Sequence, residues 1–348
     1  MARPTTRQIL EELLRTRKPA VEQAFLEAIA EITNRVQVEE IIEALSRGNI
    51  EAALDGIGIQ GQSFEIVVEA MEEAYIKGGR ETADALPLLK SVVGKNIVFR
   101  FSARNPQAEA WLSKNSSDFI TSIVERQRND IRSALRAGME RGDNPKRVAL
   151  DIAGRVQKGT NRRSGGLIGL SGPQMQWVDN AKGELKRLSA RDIANYMRRK
   201  GRDKRYDRTV MRAYRTGNPL SQAQIDVISG RYSDRLLKLR ADAIGRTEAM
   251  SALGASQHES YRQAIASGAL DADAVKKKWK HSLKPKPHRR ETHHLLHNTE
   301  KKFLEPFVTA DGTRLLYARD TSLGAGAKDN THCACATEYW IDFTIGVT

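Results

Sequence analysis

Apolar positions recur at helical spacing from the first residues of the chain onward. Ile9, Leu10, Leu13 and Leu14 are followed by Val21, Phe25, Ile29 and Ile32, and then by Ile41, Ile42 and Leu45. Such spacing gives each segment one apolar side and predicts helices from Thr5 to about Leu54, broken at "SRGNIE", with a further helix from Phe64 to about Lys77 that stops at "KGG". In "NIVFRFSARNP" the period changes to two, with Ile97, Phe99 and Phe101 on one side, which predicts one strand or an extended linker. Helical spacing returns in "AEAWLSKNSSDFITSIVERQRNDIRSALRAGMERG". Asn144 then caps a short helix, with Pro145 at the first position, where a missing N–H costs nothing. Residues 157–174 are glycine-rich and basic but lack the G-x-x-x-x-G-K-[ST] spacing of a phosphate-binding loop, so they read as a connector. One helix is expected from Ser221 and a long one from after Gly230 to Gly268. Beyond it the helical period is lost, and Asp311-Gly312 between Phe307-Val308 and Leu315 to Tyr317 predicts a hairpin. The expected fold is mainly α, with helical N-terminal and middle regions and a small C-terminal α/β domain containing a β-hairpin.

Charge divides this pattern. Residues 1–85 hold nine Lys/Arg against sixteen Asp/Glu, a net of −7, so the rest carries +21 of the total +14. A dipolar chain of this kind can meet a polyanion with one part and a protein with the other. At 348 residues the chain is too long for one core, and three regions are expected. These are an acidic helical partner-docking region over 1–95, a basic helical region with the glycine-rich connector over 96–230, and a long helix with a small His/Cys-containing domain over 231–348. Between Lys182 and Arg215 lie thirteen Lys/Arg and four acids. In "KRYDRTVMRAYR" Tyr206, Val210 and Tyr214 form an apolar stripe beside a stripe of Arg205, Arg208, Arg212 and Arg215. Together with Arg198, Arg199, Lys200, Arg202 and Lys204 these are the candidate contacts to duplex DNA. No base-reading motif accompanies them, so the contact is expected to ignore sequence. No apolar run approaches the length that spans a bilayer and the N-terminus has no signal-peptide core, so neither secretion nor a membrane anchor is expected.

Six of the seven histidines lie between His281 and His332, with both cysteines of the chain. Cys333 and Cys335 are too close in sequence for an unstrained bridge, which suits a reducing compartment. In an extended segment residues i and i+2 share a face, so the two thiolates can serve one ion, with His293, His294 or His297 as a third ligand. Zinc is the expected ion. C-x-C is less common than C-x-x-C in zinc sites, and two buried reduced thiols are the competing reading. A His-Asn-His nuclease fails on spacing, because no histidine follows Asn330 at the expected remove and position 338 is Glu.

Read in order, "GGLIGLSGPQ", "GRYSDRLLKLRADAIGRTEAMSAL", Trp279, "RRETHH", "PFVTADGTRLLYARD" and "HCAC" resemble the phage head morphogenesis family, the Mu F-like minor head proteins, over residues 100 to 345. Arg246-Thr247-Glu248 matches the family's Arg-Thr-Glu, Arg290 and His293 its Arg-x-x-His, and Cys333-Ala334-Cys335 its Cys-Arg-Cys. The chain departs from the family at His297-Asn298 in place of Asp-Gly, at His332 in place of Asn, and at Ala318-Arg319-Asp320 in place of Pro-Gly-Asp. The resemblance implies a non-enzymatic minor capsid protein of a tailed phage that acts in head morphogenesis. It would be associated with the portal protein and other head proteins, contact packaged DNA, and reside in the virion interior after assembly in the host cytoplasm. On that reading Arg246, Thr247, Glu248, Trp279 and Arg290 are structural, and the expected metal ligands are His293, Cys333 and Cys335. The alternatives are a metal-dependent effector that cleaves nucleic acid, using the His/Cys cluster, and a plain DNA-binding internal virion protein ejected with the genome.

Overall fold

A computed structural model of the chain describes residues 4–87, 89–90, 96–97, 99–157, 159–281, 290–331 and 333–344. They are mainly helical. The helices are α1 (Thr6–Arg35), α2 (Val38–Ser46), α3 (Ile50–Ile57), α4 (Glu65–Ala85), α5 (Pro106–Glu140), α6 (Pro145–Ala153), α7 (Gly172–Arg187), α8 (Ala190–Arg198), α9 (Asp207–Thr216), α10 (Gln222–Ala266), α11 (Glu291–His294) and α12 (Ala327–Asn330). The strands are short: β1 (Leu89–Lys90), β2 (Asn96–Ile97), β3 (Arg155–Val156), β4 (Arg163–Ser164), β5 (Val275–Lys280), β6 (Glu300–Lys302), β7 (Phe307–Val308), β8 (Arg314–Leu315) and β9 (Ala336–Ile341). All pair antiparallel, and most lie in the C-terminal region, as the expected mainly α fold with a small C-terminal α/β part requires. No helix among the described residues is long and apolar enough to cross a membrane.

The chain forms two compact units built from separated segments: 1–23, 67–116 and 243–348 in the first, 24–66 and 117–242 in the second. Each draws on all three stretches that charge marks out along the sequence. Acidic and basic stretches meet inside the second unit, where Arg128 pairs with Asp55 at 2.6 Å and Arg132 with Glu51 at 2.6 Å. Both pairs are solvated, so each contributes little to stability.

In the first unit α10 presents small buried residues, Ala249, Ala252, Ala255, Ser256 and Ser260, to its neighbours. The helix expected to stop at "KGG" instead runs on to Ala85. Ser256 and Leu253 of α10 lie over Gly78, and the Phe101 ring lies over Gly79, while the Ser260 hydroxyl donates to the Gly79 carbonyl at 2.6 Å. These glycines permit close helix contact rather than ending the helix. In a solvated helix Gly→Ala gains about 1 kcal/mol. Here a Cβ at Gly79 would enter the Phe101 ring, so Gly79→Ala should lose about 1–3 kcal/mol in urea denaturation, the usual overpacking penalty.

The central strand of the sheet β6-β5-β9 is β5, with Trp279 opposite Thr337 and Lys277 opposite Tyr339. Val275, Lys277 and Trp279 point inward, and the lysines between them outward. The predicted hairpin forms at β7 and β8, pairing Phe307 with Leu315. Both join Trp279, Leu296, Cys333 and Cys335 in one buried cluster.

In the second unit the two helices expected around Gly230 are one, because α10 continues unbroken for 45 residues. Gly230 faces the backbone of Gly165 in the glycine-rich connector, and Asp234 accepts the Gly165 N–H at 2.8 Å. Ser171 ends the connector as the N-cap of α7, in a capping box with Gln174. In α9 the expected stripe is graded: Val210 is fully buried, Tyr206 half-buried and Tyr214 exposed.

Candidate metal centre

Three chain segments converge in the first unit. The turn carrying α11 is latched to β5 by two backbone bonds, Trp279 N–H to the Thr299 carbonyl at 3.0 Å and Asn298 N–H to the Trp279 carbonyl at 2.8 Å. Asn298 takes a left-handed φ of 65° to allow this closure. Arg290, at the N-cap of α11, donates from Nε to the Lys328 carbonyl and from Nη2 to the Thr331 carbonyl, both at 2.5 Å. It thereby joins the α11 turn to α12 and the segment leading into Cys333.

The result is a buried trio. His293 Nδ1 lies 3.5 Å from the Cys333 sulfur and 3.8 Å from the Cys335 sulfur, and the three donor atoms lie within 4.8 Å of one another. Ordinary Zn–S and Zn–N bonds at tetrahedral angles place sulfur and nitrogen roughly 3.6 Å apart, so the spacing fits one zinc ion. Of the three histidines considered as a third ligand, the fold selects His293. His297 instead accepts the His281 N–H at 3.2 Å, and His294 stacks edge-on against His281. His332 lies outside the described residues.

The surroundings test the fit. Buried and without a regular hydrogen-bond partner are His293 Nε2, Asp329 Oδ2, Trp279 Nε1 and Arg319 Nε. Asp329 Oδ1 sits 3.5 Å from His293 Nε2, too long for a strong hydrogen bond but in place to hold the proton there and leave Nδ1 for an ion. Such carboxylate–histidine pairs orient metal ligands. Arg319 takes a φ of 71°, in the left-handed region that favours glycine, at the position where the resembled family has glycine. Its guanidinium donates to the Cys333 carbonyl at 2.6 Å and to the Met250 carbonyl at 3.2 Å. Burial pulls the Arg319 guanidinium below its usual range, while Cys333, Cys335 and Glu248 favour its charge. The Cys333 thiol is held well below the usual range by hydrogen bonding from Cys335, then from His293, and by the charge of Arg319. Cys335 is pushed up by that same bond and by burial. Two thiolates and a divalent ion are together neutral, and Arg319 balances Asp329, so a filled site buries no net charge.

The motif residues fall around this centre. Trp279 is fully buried and meets the His293 ring edge-on at 5.3 Å, Arg290 fastens the loop, and Glu248 of Arg246-Thr247-Glu248 acts on Arg319 from α10. Sequence reasoning missed Asp329 and Arg319. Asp329 stands four residues before Cys333, but only folding brings its carboxylate to His293.

The basic residues are sorted by partner. Arg199 pairs with Glu184 at 2.7 Å, Arg202 with Asp207 at 2.9 Å, and Arg205 with the buried Asp203 at 2.6 Å. These three are part of the fold. Arg198, Lys200, Lys204, Arg208, Arg212 and Arg215 are exposed, and no ion pair to them appears among the described residues.

No family model, curated protein or solved structure matches the chain. The centre itself corrects the expectation of a non-enzymatic head protein. Among the described residues three protein donors stand at zinc spacing, the number that catalytic zinc sites use, where a structural site takes four. The expectation that the chain has no enzymatic role, and that this cluster serves structure alone, falls on the same observation.

Proposed function

We propose that the chain is a metal-dependent enzyme that cleaves nucleic acid, with zinc held by His293, Cys333 and Cys335. The observation that carries this reading is the set of three donors found among the described residues, the number a catalytic zinc site uses. Zinc held by these three residues would supply a Lewis acid and lower the pKa of water toward neutrality. The chain's own groups support that chemistry. Asp329 faces His293 Nε2 at 3.5 Å, Arg319 holds the Cys333 carbonyl, and Trp279 and Phe307 pack apolar surface around the cysteines. The net charge of +14 and the exposed unpaired cations of α8 and α9 favour a polyanionic substrate bound without sequence preference. Hydrolysis adds the oxygen of water to phosphorus and breaks a P–O ester bond, and the proton goes to the departing oxygen.

Zinc-loaded protein should therefore nick supercoiled plasmid, and His293→Ala should fall to the level of the chelated control. Intact plasmid, single-stranded DNA and RNA after prolonged incubation with zinc-loaded protein would refute the reading. So would cleavage that persists unchanged in His293→Ala.

A further inference from the structure

The second unit contains a cleft of about 360 Å³ between α9 and the start of α10, whose walls include Arg208, Thr209, Arg212, Thr216, Asn218 and Gln224. Arg208 and Arg212 are one helical turn apart on α9 and are both exposed. Neighbouring arginines are neutralised: Arg199 by Glu184, Arg202 by Asp207, and Arg205 and Arg235 by Asp203. Every acid of the basic segment near α9 is thus taken by an arginine outside the cleft, and the two guanidiniums that line it keep their donors.

The rest of the wall is polar and lacks an aromatic side chain. Thr209, Thr216, Asn218 and Gln224 offer hydroxyl and amide groups, and the apolar part is limited to Ala213, Pro219 and Leu220. Without an aromatic platform the cleft has no surface on which to stack the unpaired bases of a single strand, which favours a duplex. Guanidiniums match the oxygens of a phosphate diester in pairs, and the hydroxyls add short donors.

We propose that this cleft seats the sugar-phosphate backbone of duplex nucleic acid, with Arg208 and Arg212 each engaging a phosphate. The inference is independent of the metal centre, since backbone binding requires no ion and no cleavage.

The test measures binding of a fluorescent 20-base-pair duplex by the full chain without chelator over a salt series, with the duplex checked to be intact after each titration. Arg208→Glu/Arg212→Glu should weaken binding at least tenfold. Loss of two phosphate contacts should lower the slope of log affinity against log salt by about 2. Lys146→Glu/Lys186→Glu makes the same charge change on exposed residues outside the cleft and should retain most of the affinity. Arg208→Gln/Arg212→Gln covers the case in which the charge reversal fails to fold, and should show the same loss of slope. Equal losses in the two glutamate doubles, or an unchanged slope in the glutamine double, would overturn the proposal. Retention of phosphatidylserine vesicles with no binding of the duplex would overturn it as well. Failure of plasmid cleavage with the binding results intact would count against the enzymatic reading alone.

Discussion

Cys333→Ser should purify without stoichiometric zinc and unfold at a temperature at least about 10 °C below the zinc-loaded protein. Without its ion the site is a set of buried polar groups with too few partners. Two thiols, an imidazole, a carboxylate and a guanidinium are all buried, and polar atoms on four residues around them have no regular partner. Each unsatisfied buried group costs about 1–3 kcal/mol, so an empty site weighs heavily on a small α/β region. Four-ligand structural zinc contributes apparent free energies of about 10–16 kcal/mol in small domains, three donors contribute a part of that, and a serine hydroxyl does not replace a thiolate. For a unit of this size each kcal/mol moves the midpoint by about 2–4 °C, so a loss of even about 5 kcal/mol is readily seen. Asp329→Asn supplies the graded control. It keeps the size of the side chain but weakens its hold on the His293 proton, and should lower zinc affinity by about 10–100-fold with the fold intact. Sub-stoichiometric zinc in the wild-type protein, with the same midpoint in chelator, would end this reading.

How far such a site can be read from sequence depends on which distances are local. Cys333 and Cys335 share an extended segment, so their convergence follows from strand geometry. The third ligand, His293, is 40 residues away; the Arg-x-x-His match named it, while its approach to the cysteines depends on the α11 turn, which is set by the left-handed Asn298 and by the backbone bonds to Trp279. Arg319 stood out only as a departure from Pro-Gly-Asp, because its role comes from reaching two carbonyls on distant segments.

The helices divide on the same principle. Periodicity placed α1, α2, α4, α5 and α10, because each presents an apolar or small-residue side to a core. It failed at Gly78, Gly79 and Gly230, where glycine read locally means a stop. In the fold these residues admit Ser256, the Phe101 ring and the Gly165 backbone, and no local pattern contains those partners. The basic segment shows the limit for charge. Its acids were countable, but only the structure assigns Glu184, Asp203 and Asp207 to Arg199, Arg205 and Arg202 and leaves Arg208 and Arg212 facing a cleft. Strand β5 was hidden for a different reason. "VKKKWK" alternates correctly only if Lys277 counts as an inward residue, and a lysine at a core position breaks the period-two signal.

That lysine carries the second large expectation: stability of the wild-type protein relative to Lys277→Met should rise steeply between pH 7 and pH 10. Lys277 is fully buried, and its ammonium donates to the Phe303 and Leu316 carbonyls, each at 2.7 Å, while facing the rings of Phe303 and Phe307 at 5.9 and 5.3 Å. Burial pulls its pKa down to about 7, with Asp320 and Glu305 resisting and Lys301 adding to the shift. The nearby His258, kept neutral by its own burial and by the charges of Lys277 and Arg262, offers no compensating anion; its Nδ1 pairs with the Tyr339 hydroxyl at 3.0 Å. The folded pKa lies below the unfolded value near 10.5, so the unfolded chain binds more protons throughout that window. The cost of holding the charged amine is therefore fully present below about pH 7 and is relieved as pH rises toward 10.5. The slope approaches about 1.4 kcal/mol per pH unit. Methionine removes the titration but leaves the Phe303 and Leu316 carbonyls without this donor. The variant should then be clearly less stable than wild type at pH 10, where a neutral amine still donates, and the gap should narrow or invert at pH 6. Taking the difference between the two proteins cancels the titrating groups that do not interact with Lys277, so chemical denaturation at pH 6, 8 and 10 isolates Lys277 and the groups coupled to it, and a difference that stays constant across the three would show that Lys277 is not held as a buried amine.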